Sequence, residues 1–127
     1  WPAQLLMAAY FTLNHCDNPG MTGTVKILAS INLFLASILF GLAYIRTRSL
    51  AMPIGLHLML NFTQGTILGF GVSGNAQAGL LSPDIMHGNI WWTGGQFGLE
   101  ASLPGLLSIF IGCIVLFRWR PTQQSHD

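Results

Sequence analysis

The chain has 127 residues, enough for one domain, and 51% of them are hydrophobic while only 7% are charged. Soluble domains carry about a quarter charged residues, so an ordinary water-facing surface is excluded and a membrane setting is the first reading. A formal net charge of +1, with no basic cluster, excludes nucleic acid as a partner. In chain order, the first apolar segment covers residues 2–14. At 1.5 Å per residue it reaches roughly 20 Å, short of the ~30 Å hydrocarbon core. It reads as a spanning helix that has lost its beginning, and the start at Trp1 predicts the later part of a longer protein. The second segment, 27–45, is uncharged. The third, 50–71, has Pro53 in its first turn, where proline is tolerated. The fourth is 101–119. The last three each approach the ~20 residues a spanning helix needs.

The expected fold is therefore all-α, a multi-pass transmembrane bundle with four membrane helices in residues 1–120, followed by a polar tail at 121–127. Between the third and fourth helices, 72–100 is rich in Gly, Asn, Ser and Pro. It predicts an ordered loop with one short interfacial helix, and the aromatic pair Trp91 and Trp92 suits the membrane–water boundary. Arg46 and Arg48 follow the second helix and Arg118 and Arg120 the fourth, while 72–100 has no Lys or Arg. The positive-inside rule places the 46–49 turn and the C-terminus in the cytoplasm of a multi-pass cell-membrane protein, with Lys26 the one dissenting charge.

The stretch "PIGLHLMLNF", 53–62, breaks the apolar pattern with His57 and Asn61. A polar side chain in hydrocarbon costs free energy unless it finds a partner or water. A spacing of four puts both on one helix face, with Gln64 and Gly65 continuing it. Histidine can serve as base, donor or metal ligand, and an asparagine amide can donate to an oxyanion. Either residue alone serves equally as an interhelical hydrogen-bonding group. "AAYFTLNHCDN", 8–18, carries Phe11 and His15 at the same spacing, with Asn14, Asp17 and Asn18 around them. Ser30, Asn32 and Ser37 read as interhelical contacts, Arg46 and Arg48 as topology anchors. His87 and His126 receive no role. Cys16 and Cys113 show no metal spacing.

"FTLNH" and "HLMLN" resemble the FxxxH and HxxxN motifs of the CPBP intramembrane proteases, a family that takes in CAAX prenyl endopeptidases and bacteriocin-processing or abortive-infection-like proteins. "GLAYIRTRSLAMPIGLHLMLNF" resembles the lead into its last motif, and "TGGQFGLEAS" a segment of many bacterial members. The family's first motif, EExxxR, has no counterpart here, because no two of Asp17, Asp84, Glu100 and Asp127 adjoin. The resemblance implies a bacterial membrane endopeptidase that hydrolyses CAAX-type or leader peptides. A glutamate from outside this chain and His15 would activate water, and His57 and Asn61 would hold the oxyanion. This fragment alone would then be inactive. The implied partners are the lipid bilayer and a peptide or prenylated protein.

Family names divide between metalloprotease and glutamic types. If a divalent metal such as zinc is bound, His15 and His57 are the nitrogen ligands, but two histidines do not complete a three-ligand catalytic site. No metal is the preferred reading. The two imidazoles are expected to face each other in one cavity. Glu100 is expected to be a first-turn charge of the last helix, favoured by its dipole. The competing readings are a non-enzymatic membrane protein (a degenerate protease-fold scaffold, an immunity protein or a transporter fragment) and, behind it, a bis-histidine haem protein on His15 and His57.

Overall fold

The computed structural model describes residues 1–119. The expected polar tail at 121–127, with Arg120 and His126, lies outside them. Among the described residues the fold is all-helical, and the only β pairing is an isolated bridge between Val72 and Asn75. Helix α1 spans Pro2–Leu13, α2 Gly23–Thr47, α3 Ala51–Asn61, α4 Ile90–Thr93 and α5 Leu103–Arg118.

α2 is the spine against which the other long helices pack. It is apolar between Lys26 and Arg46 apart from a few small polar residues and Asn32, and Arg48 closes it in the left-handed conformation at φ 54°. α1 runs antiparallel to it. Gln4 near the start of α1 donates from Nε2 to the Ser37 carbonyl at 2.7 Å, while Phe11 near its end packs on the cluster around Val25 and Ala29. α5 runs in the same direction as α2. Cys113 lies beside the Leu35 carbonyl, and Arg46 donates from Nε to the Leu116 carbonyl at 3.0 Å and from its guanidinium to that of Phe117. Arg46 thus caps carbonyls that the end of α5 leaves open. α3 returns antiparallel to α2 after a tight turn, with Met52 and Leu56 packed against the α2–α5 cluster.

The core is split. Met21, Val25, Ala29, Leu33, Phe97 and Ala101 form one cluster at the first half of α2. Leu39, Leu42, Ala43, Ile109 and Leu116 form another at its second half. The site described below opens between them.

Two expectations change. Among the described residues only α2, at 25 residues, is long and apolar enough to cross a membrane; α1 and α5 are shorter apolar helices of 12 and 16 residues. The third segment is not a continuous α-helix to residue 71. α3 ends at Asn61 and passes into a π-helical segment, Phe62–Ile67. The cause is the chain that folds back on it. Residues 80 and 81 donate to the carbonyls of Thr66 and Ile67 at 2.8 and 3.1 Å, and Gln64 Nε2 donates to the Gly71 carbonyl at 2.8 Å. A Cβ at Gly65 would stand 2.9 Å from Val72 Cγ2, so glycine is what admits this close return.

The 72–100 connection contains one short α-helix, α4, and it carries Trp91 and Trp92. Asn89 caps it by accepting from the Trp91 N–H at 3.0 Å. Two 3-10 turns, Gly95–Phe97 and Leu99–Ala101, then lead to α5. Gly98 between them has φ 101°, and a Cβ there would fall 1.8 Å from the Gly71 carbonyl oxygen. This glycine seats the 99–101 turn against the 71–75 loop. Ser102 starts α5, its Oγ accepting from the Gly105 N–H at 3.1 Å.

Candidate active site

Between the two halves of the core lies a cavity of about 300 Å³ lined by α2, α3, the π-helical segment and the 99–109 stretch. Its polar wall holds His57, Asn61, Gln64, Ser73, Glu100 and Asn32; Phe11, Leu33, Phe40 and Ile109 supply apolar surface. The HxxxN spacing works as expected from helix geometry, placing His57 and Asn61 on the one face of α3 that meets this space. The π-helical segment starts directly after Asn61, and such segments recur at functional sites.

His57 is held by aromatic packing. Its ring stacks on Phe40 with centroids 5.0 Å apart, and Phe11 meets it edge-on at 6.2 Å. His15 lies just past the end of α1. Its Nδ1 donates to the Phe11 carbonyl at 2.7 Å, which leaves Nε2 as the basic nitrogen of the neutral ring. The Phe11 ring is 4.6 Å from that of His15. His15 is not among the residues that line the cavity holding His57. Phe11 contacts both, and Phe11 rather than His15 belongs to the cavity wall. The FxxxH spacing explains this arrangement, since it stacks Phe11 and His15 on consecutive turns.

Glu100 corrects the expectation drawn from sequence. It is not a first-turn charge of α5. It sits on the preceding 3-10 turn, and its side chain points back to the loop and the cavity. Oε2 accepts from both the N–H and the Oγ–H of Ser73, each at 2.8 Å. The Glu100 carbonyl accepts from Asn32 Nδ2 at 2.7 Å. Burial pushes the carboxyl above the ordinary carboxylate range, opposed by the Ser73 hydrogen bonds and by the nearby imidazoles of His15 and His57. Asn32 is 3% exposed, and its Oδ1 has no partner among the described residues. The sequence signal for Glu100 was present in "TGGQFGLEAS", whose glycines allow the fold-back, but chain order alone assigned the residue to the first turn of the last helix.

The remaining candidates stay outside. His87 pairs with Asp84 at 3.0 Å on the surface. Cys16 and Cys113 are free. Among the described residues no three His, Cys, Asp or Glu side chains cluster so as to hold a metal ion, so His15 and His57 find no third ligand here.

Residues 1–63 match the sequence model of the family described as type II CAAX prenyl endopeptidase Rce1-like. This match supports assignment of the chain to the CPBP family. The match includes both "FTLNH" and "HLMLN" and stops two residues beyond Asn61. CPBP proteins of this type are proteases, and family and α2 together indicate a membrane protein. Ser73 and Glu100 lie beyond the matched stretch. No curated protein and no solved structure matches the chain significantly.

Proposed function

We propose that this chain carries the oxyanion-binding part of an intramembrane endopeptidase acting on membrane-associated peptides of the CAAX or leader type. The observation that carries this reading is the shared cavity of His57 and Asn61, inside a stretch matched by a protease family. Amide hydrolysis needs donors aimed at the developing oxyanion and a base for the attacking water. His57 and Asn61 are the donors, and the apolar walls of the cavity strengthen them by lowering the local dielectric. His15, with Nε2 free, helps polarise the water. The family's glutamate, from a motif absent here, completes its activation.

An apolar groove of about 340 Å³ shares Leu60, Ser108 and Ile109 with the cavity wall, and it suits the hydrophobic flank of such a substrate. Exposed apolar side chains on α1, α3 and α5, such as Leu6, Leu58, Leu107 and Phe110, support four helices set in lipid in a multi-pass arrangement. A metal-dependent variant of the reaction would draw on His15 and His57.

The test is incubation of the full-length protein in liposomes with prenylated and leader peptides, with products read by mass. Two fragments are expected, and the one that ends in the new carboxyl carries oxygen from labelled water. Intact peptides throughout would favour the non-enzymatic scaffold reading.

A further inference from the structure

Glu100 is a carboxyl in the cavity that the reaction above leaves unused. It is pinned at both ends: Asn32 holds its backbone carbonyl, and Ser73 donates twice to Oε2. Oε1 has no protein partner among the described residues, and it is not one of the side-chain atoms sealed away without one. Glu100 lines the cavity that His57 and Asn61 also line. In the neutral carboxyl, the two donors on Oε2 leave Oε1 as the oxygen that carries the proton. This residue lies outside the stretch matched by the family.

We propose that Glu100 is a catalytic residue, the proton donor to the leaving nitrogen of the scissile amide. The inference rests on the endopeptidase reading. An amide nitrogen leaves poorly as an anion and departs readily once protonated. In the step, the water oxygen bonds to the carbonyl carbon and its proton passes to the base. The oxyanion forms against His57 and Asn61. The C–N bond then breaks, its electron pair goes to nitrogen, and nitrogen takes the Glu100 proton and leaves as an amine. The proton held by the base returns to the Glu100 carboxylate through cavity water. One water is consumed, and one carboxylic acid and one amine are made. Burial supports the role by favouring the neutral carboxyl.

The experiment compares a cleaved peptide with an activated ester at the same bond, using the full-length protein in liposomes. The ester's alcohol leaves without a proton. Glu100→Gln, which keeps an acceptor for Ser73, is expected to lower peptide cleavage about 10²–10⁴-fold and ester cleavage by less than about tenfold. Glu100→Asp, the second variant, is expected to show the same contrast more weakly, and it decides the matter if the glutamine variant does not fold. Equal losses on both substrates would make Glu100 a packing residue, and unchanged peptide cleavage would remove it from the reaction. Both outcomes overturn the proposal while leaving the endopeptidase reading intact. A wild-type protein that cleaves neither substrate overturns the reading itself, and this proposal with it.

Discussion

The spacing of single residues carries the site, and different residues were legible to different degrees. His57 and Asn61 were visible because helix periodicity converts a spacing of four into a shared face, and the cavity holds both. His15 was visible as a polar interruption, but its relation to His57 was not, because the Phe11 ring contacts both. Glu100 was misjudged because its environment is made by Ser73, 27 residues away, and Asn32, 68 residues away. No local pattern encodes such partners.

A pH prediction follows at this scale. Burial raises the Glu100 carboxyl above its unfolded value, so the fold favours the neutral form. That contribution is complete at pH below the unfolded value and is lost as pH rises through the higher folded one. The imidazoles of His15 and His57 moderate the loss. Thermal unfolding in detergent is expected to show wild type weakening relative to Glu100→Gln from acid toward neutral pH. A constant difference across that range would contradict it.

Among the elements, the two ends of the reading frame behaved differently. α2 was legible because an uncharged apolar run of that length has few alternatives, although the helix also takes in Gly23–Lys26 and closes at Thr47. The third segment was overextended because composition registers apolarity but not the return of residues 72–81 onto it. That return takes up the carbonyls of Thr66 and Ile67 and accompanies the π-helical segment. The 99–101 turn depends in the same way on Gly98, whose φ of 101° lies outside what residues with a Cβ readily adopt. Gly98→Ala is expected to destabilise the fold by about 1–3 kcal/mol or more, and to lower activity by displacing Glu100. Thermal unfolding in detergent measures the first. A variant as stable as wild type would show that the turn relaxes freely.

At the scale of the whole molecule, the parallel course of α2 and α5 brings their basic ends together. Arg46 caps the last carbonyls of α5, close to Arg118, while the uncharged-to-acidic 72–100 connection lies at the opposite end. From this arrangement the positive-inside rule predicts a cytoplasmic 46–49 turn. In right-side-out vesicles, an impermeant maleimide is expected to label Met86→Cys and spare Ser49→Cys, with Cys16 and Cys113 replaced by serine. The reverse pattern would invert the topology.

The central claim is that His57 and Asn61 stabilise the oxyanion, and the most direct measurement extends the peptide assay to His57→Ala and Asn61→Ala in the full-length protein. Each variant is expected to bind substrate with little change in KM while kcat falls about 10²–10³-fold, the usual loss for an oxyanion donor. Cleavage at the wild-type rate in both variants would contradict the account and leave the pair as packing groups within the bundle.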